Sequence, residues 1–241
     1  MIPLQLQKNN IFNFLFFVMK KYTLIILFLF LTTAAFSQHK PYQFGFKVSG
    51  NIGWFNSYND NFNSSGVKPG FTWGFVSDIF LMENYSVTTG FEMLFLNGNL
   101  DYPYQTISNT DTTIGIISST FKTKYLQLPV VFTMKTNDIK GIRYFGQIGG
   151  SIGIKLNARE EGTLNGTTIK NNDSDMFTLF RGAFILGAGI EYPINGSTYL
   201  RLGIQYNNNF NSVLKGYNSA YPDTKNEARS NYLELNANII F

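Results

Sequence analysis

The stretch YLELNANIIF, residues 232–241, sets Leu233, Leu235, Ala237, Ile239 and Phe241 at every second position, with Glu234, Asn236 and Asn238 between them. Successive side chains of a strand point to opposite faces, so this spacing predicts a strand with one apolar and one polar side. Seven further segments repeat the pattern. In YQFGFKVSGNIGW, residues 42–54, Tyr42, Phe44, Phe46, Val48, Ile52 and Trp54 share one face, and Gln43, Lys47, Ser49 and Asn51 share the other. The apolar faces of the next three run through Phe71, Trp73, Phe75, Ile79 and Leu81, then Tyr85, Val87, Phe91, Met93 and Phe95, then Leu126, Leu128, Val130, Phe132 and Met134. They continue through Ile142 to Leu156, Phe180 to Tyr192, and Leu200 to Tyr206.

The connections alternate in length. Polar stretches near residues 56–69, 99–118, 159–174 and 210–229 read as long loops, while MEN (82–84), TNDIKG (136–141) and PINGS (193–197) read as short turns. An even number of strands, with one rim of short turns and one of long loops, is the pattern of a transmembrane barrel. The predicted fold is therefore all-β, an eight-stranded antiparallel up-and-down transmembrane β-barrel with both chain ends at the short-turn rim. The last strand closes against the first, its odd-numbered residues face lipid, and the series from Leu233 to Phe241 is expected to serve as the signal read by the barrel-assembly machinery.

The opposite face carries Lys47, Asp78, Glu92, Arg143, Lys155, Arg181, Glu191, Arg201 and Glu234, interleaved with glycines such as Gly45, Gly53, Gly149 and Gly189. A soluble barrel would turn this face to water, where the glycines would only weaken the strands. In a narrow eight-stranded barrel they leave room for long side chains, and the near-balanced charges predict a paired, plugged lumen in which each buried arginine has an acidic partner. Open aqueous channels need about sixteen strands, so passage through the barrel is disfavoured.

At the other end, MKKYTLIILFLFLTTAAFSQ, residues 19–38, has a charged pair (Lys20, Lys21), an apolar run and a small-x-small site at Ala35 to Ser37. It reads as a secretory signal, with Met19 as the expected start. Residues 1–37 are then an upstream extension plus cleaved signal, and residues 38–241 the barrel. The chain holds 19 Lys+Arg and 15 Asp+Glu. Residues 1–37 contain three of the basic residues (Lys8, Lys20, Lys21) and no acidic one, which leaves 16 against 15. A near-neutral mature chain gives no support to nucleic-acid binding. With no cysteine there is no disulfide framework and no zinc–thiolate site.

The segment KYLQLPVVFTMK, residues 124–135, with Tyr125, Leu126, Leu128 and Pro129, resembles the Tyr-Leu-x-Ile/Leu-Pro stretch of the PorT-like outer-membrane β-barrel family of Bacteroidetes. The Ser37-Gln38 pair, the eight segments and Phe241 extend the resemblance. It implies an outer-membrane barrel, and through one namesake it implies an alternative role in the type IX protein secretion system.

Signals for catalysis are sparse. His39 is the single histidine and precedes the first strand, which excludes a histidine-based triad on the barrel. Glu92 and Glu191 read as compensated lumen charges rather than as an acid–base pair. NNDSD, residues 171–175, offers oxygen ligands but lacks the glycine and distant glutamate of a calcium loop. QYNNNFNS (205–212) and GYNSAYPD (216–223) supply the Tyr, Asn and Ser that make adaptable contact surfaces. No catalytic residue, cofactor or metal site is expected. The sequence points to a non-enzymatic protein of the cell outer membrane with periplasmic termini and a charge-plugged lumen. Its loops would bind an envelope or external partner, and its other partners would be outer-membrane lipids and the assembly machinery. A lipid-acting enzyme is the remaining alternative, and it would need two carboxylates converging on a lipid-accessible cleft.

Overall fold

A computed structural model describes residues 42–59, 61–108, 111–164, 167–171 and 174–241. The leader reading and His39 lie outside these residues, as do Asn172 and Asp173 of NNDSD. The strands are β1 (Tyr42–Asn56), β2 (Asn63–Met82), β3 (Tyr85–Ser108), β4 (Asp111–Lys135), β5 (Arg143–Leu164), β6 (Thr167–Asn171), β7 (Phe180–Asn195), β8 (Thr198–Asn209) and β9 (Arg229–Ile240). Eight of them close an antiparallel ring in the order β1-β2-β3-β4-β5-β7-β8-β9, with β6 added only to the far end of β5. The β1–β9 seam runs from Gly45 opposite Ile240 to Asn56 opposite Arg229, and the Phe241 N–H donates to the Phe44 carbonyl at 2.7 Å. Closure matters because hydrocarbon offers backbone groups no partner, so a spanning sheet cannot have a free edge.

The alternation in β9 resolves as read: Leu235 and Phe241 are 68% and 53% exposed, whereas Glu234 and Ile240 are each 1% exposed. Around the ring the outward apolar residues form a band with aromatic borders. Tyr42, Tyr85, Tyr144, Tyr192 and Phe241 mark its edge at the short-turn rim. Toward the other rim the edge is marked by Phe71 stacked on Phe95 and by Trp54 stacked on Tyr206. Such girdles suit amphipathic rings at the two lipid–water interfaces.

Short turns join β2 to β3, β4 to β5 and β7 to β8. Two need left-handed backbone: Gly196 has φ 55°, and in the β4–β5 turn Lys140 and Gly141 have φ 57° and 83°. The long connections differ from their reading as loops. Residues 63–69 belong to β2, 99–108 to β3, 111–118 to β4 and 159–164 to β5, so three of the four polar stretches are largely strand. Polarity misled there, because a ladder above the membrane needs β-branched residues but no greasy face, and TDTTIGIISST supplies them. Strands of 24 and 25 residues in the β3–β4 hairpin far exceed the roughly 10 that a tilted strand needs to cross the hydrocarbon. Only the β8–β9 connection is mostly irregular. It is pinned by bridges at Phe177–Leu214 and Tyr217–Lys225, and it contributes Val213, Leu214 and Ala228 to a buried apolar cluster with Phe55, Tyr102, Phe121 and Phe177.

Candidate functional site

The lumen is built in layers, each set by which inward positions come level when the strands pair. Nearest the short-turn rim, Asp78 (β2), Lys135 (β4), Glu191 (β7) and Arg201 (β8) meet. Lys135 Nζ lies 3.1 Å from Asp78 Oδ2 and 2.9 Å from Glu191 Oε1. Arg201 donates through Nε to Glu191 at 2.7 Å and pairs through Nη2 with both carboxylates. The Thr88 hydroxyl donates to Asp78 at 2.5 Å.

In the next layer Lys47 (β1) lies between two carboxylates, 2.9 Å from Glu92 and 2.5 Å from Glu234. Gln127 then donates to Glu92 at 3.2 Å and accepts from Arg181 at 3.3 Å. Arg181 also donates to the Ser230 hydroxyl and carbonyl and lies over the Tyr232 ring at 5.1 Å. Three basic groups (Lys47, Lys135, Arg201) thus pair with four acidic ones (Asp78, Glu92, Glu191, Glu234), and a fourth, Arg181, is held by neutral groups; all eight are buried. Charges removed from water at this depth are tolerable only when paired and hydrogen-bonded. Above them the lining turns apolar through Leu94, Leu96, Tyr125 and Tyr232.

Several sequence-based assignments change. Arg143 is half-buried at the start of β5, opposite Glu191 in the β5–β7 register, but its guanidinium lies 5.2 Å over the Tyr199 ring. Lys155 donates to the Phe177 carbonyl at 2.9 Å and is only partly buried. The expected acidic partner of Arg181 is replaced by Gln127, Ser230 and Tyr232; among the described residues no carboxylate lies within ion-pair distance of it. Lys135 was missed although its parity, one past outward Met134, places it inside. Glu160 was missed for a structural reason. Lys124 pairs with Asn157 and Tyr125 with Lys155, so Leu156 is a bulge, and beyond it even-numbered Ala158 and Glu160 turn inward.

Among the described residues the charged part of the interior is filled. Between Lys47, Glu92, Val131, Gln147 and Arg201 it leaves a cavity of about 20 Å³, room for a single water. At the long-hairpin end a larger cavity of about 320 Å³ is lined by Tyr102, Tyr104, Tyr217, Asn218, Lys215 and Glu160. Glu160 is 3% exposed. Its Oε1 accepts from the Tyr102 and Ser119 hydroxyls. Burial first, and then the adjacent Glu160 carboxylate, push the Tyr102 phenol above its ordinary pKa, so it stays a neutral donor. Asn218 is held by its amide on the Pro103 carbonyl at 2.9 Å, and its Oδ1 accepts from the Ala220 and Tyr221 N–H groups. Among the described residues no three His, Cys, Asp or Glu side chains converge as metal ligands. The carboxylate pairs Glu92/Glu234 and Asp78/Glu191 converge inside the barrel on cations, not on a lipid-accessible cleft.

The model of a family described as outer membrane protein beta-barrel domain matches residues 36–215. Among solved structures, the chain is similar to neisserial surface protein A (NspA) at 11% identity and TM-score 0.40, covering 80% of this chain and 96% of that one. Similarity to Ail, the attachment invasion locus protein of Yersinia pestis, is 10% identity and TM-score 0.38, over 83% and 98% of the two chains. For the outer membrane protease OmpT from Escherichia coli the values are 10% and 0.31, over 83% and 96%. No curated protein matches the chain.

Proposed function

As the chain belongs to the outer membrane protein beta-barrel domain family, we propose that it is a non-enzymatic recognition barrel of the outer membrane. It binds an envelope or external partner at its long-hairpin end, and both chain ends lie at the periplasmic rim. The carrying observation is the contrast between the two ends of the interior. The lumen is filled by buried charges, most of them paired, that leave a cavity of only about 20 Å³ among the described residues, whereas the mouth holds a cavity of about 320 Å³ with three tyrosines and a buried carboxylate. Tyrosine gives large contact area at low entropic cost, and Asn and Ser give adaptable hydrogen bonds. Within the family, the Tyr125 to Pro129 stretch supports placing the chain with PorT-like members: both residues are buried on the inner face, and the Thr89 hydroxyl donates to the Pro129 carbonyl at 2.8 Å.

Photo-cross-linking in intact cells tests this reading. A benzoylphenylalanine at Tyr217 is expected to trap a defined adduct, and Glu160→Gln in the same chain is expected to reduce it severalfold. The same probe at Tyr144, in the lipid band, should trap none. Absence of an adduct at Tyr217, or one indifferent to Glu160→Gln, would contradict recognition at the mouth.

A further inference from the structure

On the outer wall of β2 to β5, just beyond the apolar band, a groove of about 510 Å³ is lined by Phe71, Phe95, Lys122, Lys124, Asn157 and Arg159. It exists because two strands break register there. The β2–β3 ladder shifts between Val67 and Phe71, and the Leu156 bulge interrupts β4–β5.

The two edges of the groove differ in chemistry. Its lower edge is apolar: Phe71 and Phe95 stack with centroids 4.2 Å apart, at the level where the outward series of β4 ends in Leu126. Immediately above come Lys124 and Lys122, and opposite them on β5 come Asn157 and Arg159. Lys122 is the direct cross-strand partner of Arg159. Like charges placed so are destabilising in a sheet. Glu161 offsets part of this by pairing with Lys122 at 2.7 Å. Lys124 lies 4.8 Å over the Phe95 ring, and among the described residues neither it nor Arg159 has a carboxylate partner. On the far wall, the outward residues that follow the band in β1 and β8 are the neutral Asn56 and Asn208.

We propose that this groove binds the phosphorylated headgroup of an outer-leaflet glycolipid. The phosphates neutralise Lys122, Lys124 and Arg159 while the acyl chains continue down over Phe71, Phe95 and Leu126. An amphiphile with anionic charge set directly above hydrocarbon matches this order of basic residues over stacked aromatics, and a soluble anion would leave the apolar edge uncovered. The arginine fork and two ammonium groups suit multidentate phosphate oxygens. The site rests on the outer-membrane placement of the chain, and it is distinct from the cavity at the mouth.

The test uses the full barrel refolded in a neutral detergent and titrated with lipid A, with chemically dephosphorylated lipid A, with phosphatidylglycerol, and with inorganic phosphate. Bound lipid is read by native mass spectrometry. Lipid A is expected to bind at least tenfold more tightly than its dephosphorylated form, with an affinity that falls as salt rises. In the Lys124→Gln/Arg159→Gln variant that preference is expected to drop roughly tenfold, since each basic residue near a lipid surface contributes substantially. The salt series needs only the unaltered chain, so it decides the matter even if the variant does not refold. Equal binding of dephosphorylated lipid, equal binding of phosphatidylglycerol, displacement by inorganic phosphate at equal concentration, or an unchanged folded variant would each overturn the site. Cell fractionation reads the outer-membrane placement separately, so failure of one is distinguishable from failure of the other.

Discussion

Replacing Arg201 with alanine is expected to destabilise the barrel by about 3–5 kcal/mol, the range seen when one member of a buried ion pair is removed. Arg201 is the group that bridges Asp78 and Glu191, and both carboxylates are buried. Without it Lys135 alone faces two negative charges, and water cannot reach them to compensate. Leu202→Ala, one residue on, removes comparable volume from a side chain that faces outward. Lipid fills that space, so the loss is expected to be well under half as large. Urea unfolding in phospholipid vesicles measures both. Equal losses at Arg201 and Leu202 would contradict the assigned facing. Arg181→Ala is expected to fall between them, because its partners are Gln127, Ser230 and Tyr232 rather than a carboxylate.

On β9 two substitutions separate the cost of the membrane from recognition during assembly. Arginine at Leu235, well inside the lipid-facing band, is expected to cost about 2–4 kcal/mol near the midplane and to impair folding in vesicles and cells alike. Aspartate at Phe241 lies at the edge of the band, where the same kind of change costs only about 0–1 kcal/mol. Its stability in refolded vesicles should therefore be nearly that of the unaltered chain. In cells, by contrast, insertion is expected to fail and protease-sensitive chains to accumulate, if the terminal aromatic is the signal we propose for the assembly machinery. Heat-modifiable migration on a gel reads both cases. A Phe241→Asp protein that inserts normally in cells would remove the assembly role of this segment while leaving its strand geometry intact.

Period-two alternation carried most of the architecture, because a lipid-facing strand has to be greasy on every second residue and the rule is local. Strand number, the β1–β9 closure and the inward placement of Lys47, Asp78, Glu92, Glu191, Arg201 and Glu234 all follow from it. What escaped was whatever depends on pairing. The Leu156 bulge reverses the facing of β5 and buries Glu160, yet nothing in IKLNAREE marks the slip. The hairpin extensions above the membrane have no greasy face, so polarity alone read them as loops. The two ends of the lumen also differ in a way composition hides. Phe55, Leu94, Leu96 and Phe121 share inward parity with the charges, and only the ring shows that they gather at the long-hairpin end. Arg143 and Lys155 had the right parity, but their side chains turn elsewhere: Arg143, although cross-strand from Glu191, lies over Tyr199, and Lys155 donates to the Phe177 carbonyl.

The lipid-facing assignment itself is open to direct measurement. The chain has no cysteine, so single cysteines bearing a nitroxide can be placed in turn at residues 232–241 of the barrel in lipid bilayers. Their collision rates with oxygen and with a water-soluble nickel complex can then be compared. Leu233, Leu235, Ala237, Ile239 and Phe241 are predicted to be accessible to oxygen and shielded from nickel, and Glu234, Asn236 and Asn238 to be shielded from both. Odd positions that collide freely with nickel, or a series with no alternation, would show that this face meets water and that the barrel does not cross a membrane.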